Sequence, residues 1–155
     1  MTIAAAHDVA ERYRRLREEV GEGVTVVVAT KYVSVDDLAV LADAGVEVVG
    51  ENRAQDLQAK HDRFGERFRW HFIGHLQSNK VNAINPLCEL VHSLASDSAA
   101  RRLTVPALLE VNLAAEESKS GVAPDEIAGY LERYPLVRGL MTMPPLVADP
   151  EESRP

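Results

Sequence analysis

The stretch Trp70–Lys80, WHFIGHLQSNK, contains a strand signal, a chain break and a helix start in direct succession. Trp70–Ile73 is typical of a buried strand, Gly74 interrupts it, and Gln77–Lys80 has the polar character of a first helical turn. In α/β proteins the loop at such a strand end carries the chemistry, because it varies freely while the sheet holds it rigid. The stretch therefore predicts an α/β fold with functional side chains after this strand.

A second predicted strand ends at a lysine. Val24–Ala29 is a nearly unbroken apolar run that is followed by Thr30 and Lys31, and Ala107–Val111 is a similar run. Continuous apolar strands are typical of a parallel sheet that helices cover on both faces. We therefore expect Lys31 at the carboxyl edge of a parallel sheet.

Strand and helix patterns alternate along the chain with a repeat of roughly 20 residues, which is typical of βα units. The predicted strands are Val24–Lys31, Glu47–Gly50, Arg69–Ile73, Glu89–Ser93, Pro106–Leu113 and Val137–Met141, and the predicted helices are Ala5–Val20, Val35–Ala44, Arg53–Phe64, Gln77–Ile84, Asp97–Leu103 and Pro124–Tyr134. We expect residues 1–155 to form a single domain. A (β/α)₈ barrel needs eight strands and typically about 250 residues, so about six strands indicate either an open sheet or part of a longer chain.

The composition excludes several classes of protein. Of the 155 residues, 24 are acidic and 17 are basic, and the net charge of −7 disfavours a nucleic-acid ligand. Apolar runs fall short of the roughly 20 residues of a membrane span, so we expect no membrane partner and a cytoplasmic location. The single cysteine, Cys88, lies in an apolar context and is expected to be a small buried side chain, since no disulfide framework or cysteine metal cluster can form.

Six motifs in order resemble those of the pyridoxal phosphate homeostasis proteins, the YggS/PROSC type. They are Val28-Ala29-Thr30-Lys31, Gly50-Glu51-Asn52, the Trp70–Lys80 block, His92-Ser93, Glu117-Ser118-Lys119-Ser120-Gly121 and Gly139-Leu140-Met141-Thr142-Met143. The resemblance runs from the N-terminal helix to about Pro145. It implies the TIM-type (β/α) barrel of the alanine-racemase-like kind that binds pyridoxal 5'-phosphate (PLP), incomplete here with about six of eight strands.

The resemblance also implies a function. Members of this family are regarded as PLP carriers or regulators without established turnover, and their Schiff-base lysine ends the first barrel strand, which corresponds to Lys31. Family members continue past the sixth strand with serine, glycine, threonine and arginine groups that hold the cofactor phosphate. That segment is not found here, and the Arg101–Val105 junction is short. We therefore expect a chain truncated after the sixth strand, with weak or absent PLP binding unless another chain supplies the missing strands.

Lys31 is the central candidate residue. An imine forms only from an uncharged amine, so a reactive lysine must lie where water is excluded and the uncharged form is favoured. We expect the mouth of the barrel to provide this environment for Lys31. From its spacing alone, a lysine at a strand end is far more often a solvated loop residue.

Other candidate cofactor-binding residues follow the remaining predicted strands. Asn52 either caps the next helix or faces the cofactor ring, and His75 is expected to line the pocket. Ser93 and Asn112 end the fourth and fifth strands, so their side chains either reach the mouth or face away from it. Met141 either packs under the ring or fills the core.

Two further side chains complete the predictions. Lys119 lies in a polar loop and is either a solvated charge or a secondary amine that accepts or relays an aldehyde. His71 and His75 are four residues apart, but this spacing places two ligands on one face only in a helix. Because it straddles a strand here, we expect no metal site, with His71 packed in the sheet.

Two alternatives to a PLP carrier remain open at this point. One is a PLP-dependent amino-acid racemase or related enzyme. A racemase needs a second acid or base opposite the lysine; Tyr32 is adjacent to Lys31, but neighbouring strand residues point to opposite faces. The other is a remnant that binds no PLP. For the PLP carrier, PLP-dependent apoenzymes are the predicted recipients, and exposed strand edges predict a homo-oligomer.

Overall fold

The computed structural model describes residues 3–113, 120–143, 149 and 151. Its helices are α1 (Ile3–Val20), α2 (Leu38–Asp43), α3 (Ala54–Phe64), α4 (Val81–Ile84), α5 (Asp97–Ala100) and α6 (Ile127–Arg133), with short 3₁₀ helices at Gly65–Arg67 and Pro124–Glu126. Its strands are β1 (Val28–Ala29), β2 (Val48–Glu51), β3 (Arg69–Phe72), β4 (Leu90–Leu94), β5 (Ala107–Glu110) and β6 (Val137–Met141). Within these ranges no helix is both long and apolar enough to cross a membrane.

All six strands form one parallel sheet in the order β1-β2-β3-β4-β5-β6. Each strand therefore lies beside the next one in sequence, with a helical connection between them. A doubly wound sheet reverses its strand order at a switch point, whereas a (β/α) barrel does not. The predicted α/β fold is confirmed: in the part of the chain that the structure describes, six strands follow the strand order of a TIM-type barrel.

The core lies between the sheet and the helices that cover its outer face. Val49, Val91 and Leu109 from three strands are fully buried, as are Leu38 of α2 and Leu57 of α3. Helices that follow each strand cover this face because every parallel connection must cross over the sheet. Cys88 is also buried at 7% exposure, as predicted, and burial raises the pKa of its thiol to about 12.

The inner face of the sheet is open at β1, and this corrects one expectation. The predicted strand Val24–Lys31 is reduced to the two residues of β1, and Val24 is 50% exposed. Among the described residues β1 pairs with β2 alone, so few ladder hydrogen bonds hold it. The expectation that helices cover the run Val24–Ala29 on both faces is therefore wrong.

Several predicted helix starts differ from the structure, and two of them bear on the site. α4 begins at Val81, because the preceding residues form a turn in which the Lys80 N–H donates to the Gln77 carbonyl at 2.9 Å. The N-cap residue of α3 is Arg53, which makes no side-chain cap hydrogen bond. The alternative role of Asn52 as the cap of this helix is therefore not supported.

Candidate functional site

Lys31 and Asn52 occupy equivalent positions at the carboxyl edge of the sheet. Ala29 pairs with Gly50, and each of the two candidate residues follows two positions later. The Thr30 N–H donates to the Gly50 carbonyl at 2.8 Å, which carries the pairing one residue beyond β1. The register thus brings these two candidates to neighbouring strand ends.

Gly50 lies on the inner face of the sheet. A Cβ placed on Gly50 would lie 3.0 Å from the side chain of Ile73 and 3.1 Å from that of Val27. Glu51, the next residue, is fully buried on the outer face, toward α3. Successive residues of β2 thus alternate, with Gly50 on the inner face and the Glu51 carboxylate toward the core. The carboxyl ends of β1 and β2, which carry Lys31 and Asn52, are called the rim below.

The Lys31 side chain is exposed, which corrects the expectation that the barrel mouth keeps it away from water. Its Nζ lies 5.2 Å from the centroid of the Tyr32 ring, and Tyr32 is 91% exposed. Both residues lie in a turn after β1, so the alternation of strand side chains does not separate them. The argument that Tyr32 must point away from Lys31 is therefore wrong.

A buried ion pair lies directly behind this rim, between Glu51 and Lys60 of α3. Their side chains are 0% and 6% exposed, and the Lys60 Nζ donates both to the Glu51 carboxylate and to the Thr30 carbonyl, the latter at 2.8 Å. The Thr30 hydroxyl donates to the Gly50 carbonyl at 3.1 Å and to Glu51 Oε2 at 3.2 Å. The other carboxylate oxygen, Oε1, accepts from the backbone N–H of Asn52 at 2.7 Å.

This network holds two peptide groups of the rim. The Thr30 carbonyl belongs to the peptide bond that leads to Lys31, and the Asn52 N–H belongs to the bond that follows Glu51. Sequence reasoning missed Lys60. The one available signal was its spacing of three from the buried Leu57, which places both residues on the core-facing side of α3.

Gly74 joins the loops after β2 and β3 to strand β4. A Cβ at this position would lie 2.0 Å from the carbonyl oxygen of Asn52, so only glycine permits this approach. The Ser93 hydroxyl, which is buried, donates to the Gly74 carbonyl. Ser93 therefore supports the loop that carries His75, and the His75 side chain is exposed.

The remaining candidates lie along the far strands of the sheet or outside the described residues. Asn112 follows β5, is partly buried and donates its backbone N–H to the Val122 carbonyl at 2.9 Å. Met141 of β6 is partly buried and pairs with Glu110. Lys119 lies outside the described residues.

A histidine pair lies on the sheet, and its His71 pairs in register with Gly50 of β2. His71, 4% exposed and packed in the sheet as predicted, approaches His92 with Nδ1 and Nε2 2.9 Å apart, and its own Nε2 lies 3.1 Å from Glu89 Oε1. Burial lowers the pKa of both imidazoles. Glu89 also pairs with Arg69 at 2.7 Å. These four side chains border a cavity of about 460 Å³.

The sequence is similar to curated proteins over most of its length. In an alignment 165 residues long, it is 34% identical to the pyridoxal phosphate homeostasis protein of Aquifex aeolicus (strain VF5). This alignment covers 95% of this chain and 72% of that protein. The chain belongs to the pyridoxal phosphate homeostasis protein family. A second member, from Vibrio alginolyticus, is 33% identical over 149 residues, with 84% of this chain and 64% of that protein covered. No family model matches the sequence.

Solved structures agree with membership of the pyridoxal phosphate homeostasis family. PipY of Synechococcus elongatus PCC7942, solved without PLP, has a TM-score of 0.83 and 28% identity, with 94% of this chain and 75% of that chain covered. The same protein with PLP bound has a TM-score of 0.82 and 27% identity. The family predicted from the six motifs is thus confirmed.

Proposed function

We propose that this chain binds PLP covalently at Lys31 and serves PLP homeostasis as a carrier without catalytic turnover. The observation that carries the proposal is the position of Lys31, an exposed amine at the carboxyl end of the first strand, in register with Asn52. Support comes from the named relatives and from PipY, which has been solved with PLP bound.

The chemistry assigned to Lys31 is reversible imine formation. The uncharged Nζ attacks the aldehyde carbon, the C=O bond breaks as a C=N bond forms, and the oxygen leaves as water. Addition of water reverses the reaction and returns the free aldehyde. Lys31 therefore stores a reactive aldehyde and releases it. These two steps need no second proton-transfer group, whereas turnover on an amino acid requires one.

The other candidate residues are assigned to noncovalent contacts. Asn52 and His75, which follow β2 and β3, are proposed to face the cofactor ring. Asn112 and Met141 are proposed to line the opposite side of the site, at the ends of β5 and β6. The hydrogen bond of Ser93 to Gly74 favours a supporting role for its hydroxyl. Transfer to apoenzymes, a homo-oligomer and a cytoplasmic location stay predictions.

Reductive trapping tests the assignment. The chain has four lysines, Lys31, Lys60, Lys80 and Lys119, so a peptide map resolves each of them. After incubation with PLP, borohydride adds hydride to the imine carbon, and a proton from water completes a stable secondary amine. We expect the label mainly on Lys31; preferential labelling of another lysine, or no label on Lys31, would contradict the proposal.

A PLP-dependent racemase is the second candidate, because the Tyr32 ring lies beside Lys31 rather than on the opposite face. A phenol in this position is a possible second acid or base. Incubation of the PLP-loaded chain with L-alanine, followed by optical rotation, separates the two functions. We expect no change in rotation; turnover that is lost in Tyr32→Phe would favour the racemase.

A further inference from the structure

We propose that the buried Glu51–Lys60 ion pair is a positioning device that fixes Lys31 and Asn52 for PLP. This inference rests on the proposed function. It assigns a role to two side chains that would not touch PLP and that act through the backbone of the rim.

The ladder of β1 is too short to fix Lys31 by itself. In β1 only Val28 and Ala29 pair with β2; beyond them Thr30 bonds to β2 through its N–H and its hydroxyl, and the Val33 N–H closes the turn on the Thr30 carbonyl at 2.8 Å. Two paired residues hold a strand end weakly, and with it the peptide that carries Lys31. Lys60 adds a restraint from the side of α3, since its Nζ donates to the Thr30 carbonyl at 2.8 Å.

One carboxylate connects this restraint to the second strand. Glu51 receives the Lys60 Nζ on Oε2 and the Asn52 N–H on Oε1, the latter at 2.7 Å. The peptide groups next to Lys31 and Asn52 are therefore joined through a single pair of side chains. A lateral shift of either strand end would stretch at least one of these hydrogen bonds.

Cohesion of the core alone does not require this pair. The desolvation cost of two buried charges is large, and apolar side chains of similar volume commonly replace such pairs without loss of stability. Leu57 already anchors the same side of α3 and is fully buried. What an apolar pair would lack is the hydrogen bonding to the Thr30 carbonyl and the Asn52 N–H.

The pairing also removes Lys60 from competition for the aldehyde. Its Nζ is buried and donates hydrogen bonds to the Glu51 carboxylate and the Thr30 carbonyl, whereas Lys31 is exposed and accessible to a ligand. The same buried ion pair thus positions Lys31 and keeps Lys60 from reacting with the aldehyde.

The test uses the double variant Glu51→Gln/Lys60→Met, which removes both charges together. The readout is the rate of borohydride trapping with PLP at Lys31 divided by the rate at Lys80 in the same sample, with folding checked by circular dichroism. We expect this ratio to fall about tenfold or more, because small displacements of a reacting group cost rate steeply. A folded double variant that keeps the wild-type ratio overturns the proposal.

A conservative variant and a matched ion pair serve as controls. Lys60→Arg keeps the charge and can donate to both oxygen atoms, so we expect it to stay within about threefold of the wild-type ratio; a folded Lys60→Arg protein with the low ratio contradicts the proposal. Asp36→Asn/Arg63→Gln removes an exposed ion pair that also involves α3, and we expect no change in the ratio.

Two outcomes separate this inference from the proposed function. If wild-type protein carries no label on Lys31, the proposed function fails. If wild-type protein is labelled there and the ratio does not respond, only the positioning role fails. Should the double variant not fold, Glu51→Asp decides, since it keeps both charges but withdraws the carboxylate by one methylene; a folded Glu51→Asp protein with the wild-type ratio also overturns the proposal.

Discussion

Lys60 of α3 donates a hydrogen bond to the carbonyl oxygen of Thr30 at 2.8 Å, although thirty positions separate the two residues in sequence. The contact joins the helix after the second strand to the end of the first strand. It lies one peptide bond before Lys31, the proposed PLP lysine. Because Lys60 also pairs with Glu51, a buried charge network supports the rim from the side of the core.

Lys60→Met alone is expected to lower the free energy of unfolding by about 3–5 kcal/mol, because it leaves the fully buried Glu51 carboxylate without its charged partner. Urea unfolding measures the change. The double variant Glu51→Gln/Lys60→Met should return to within about 1 kcal/mol of wild type, since no unpaired charge remains. A double variant as unstable as Lys60→Met would show that the hydrogen bonds of the network, and not the balance of its charges alone, stabilise the fold.

Lys31→Met is expected to abolish trapping at that position while changing the free energy of unfolding by less than about 1 kcal/mol, since the side chain is exposed and its contact with Tyr32 is solvated. Peptide mapping and urea unfolding measure the two effects. Lys80→Met is the matched control, and it should leave the Lys31 label intact. Equal losses of label in both variants would indicate nonspecific reaction.

Gly74→Ala is expected to destabilise the protein by at least about 2 kcal/mol, because its Cβ would lie 2.0 Å from the Asn52 carbonyl oxygen, which is backbone and cannot rotate away. Thermal unfolding measures the loss. Gly129→Ala in α6 is the control: its Cβ would meet nothing closer than Arg133 Nη2 at 3.9 Å, so a gain of about 0.5–1 kcal/mol is expected. A neutral Gly74→Ala would mean that the two loops separate easily.

The His71–His92 pair predicts a loss of stability in acid. Burial lowers the pKa of both imidazoles in the folded protein, so the unfolded chain takes up protons first as the pH falls below its own pKa of about 6.5. The stability contributed by the neutral pair is complete above that value and is lost as the pH falls toward the folded pKa. Glu89 and Arg69 face the pair, and the hydrogen bond to Glu89 partly opposes the effect of burial on His71.

Urea unfolding between about pH 8 and pH 5 measures this dependence. The double variant His71→Gln/His92→Gln should show a flatter profile than wild type over this interval, because the groups that protonate on unfolding are gone. His7→Gln in α1 is the control, since His7 is exposed and should leave the slope unchanged. An unchanged slope in the double variant would assign the pH dependence to other groups.

The order and type of the elements were predictable from local patterns. Apolar runs such as Ala107–Val111, separated by amphipathic segments, predict parallel strands with helical connections, and the strands appear in that order. The family was predicted from six motifs that occur in order along the chain, one of which ends at Lys31. Element boundaries were predicted less well, as the shortening of Val24–Lys31 to β1 shows.

Only the tertiary structure revealed what holds the rim. Whether a lysine in an amphipathic helix is solvated or buried depends on the partner that faces it, and the Glu51 partner of Lys60 comes from another element. The same holds for Gly74, whose requirement for glycine comes from the backbone of Asn52 rather than from its own turn. Local periodicity encodes which face of an element is apolar, whereas contacts between strand ends depend on register and on the path of each loop.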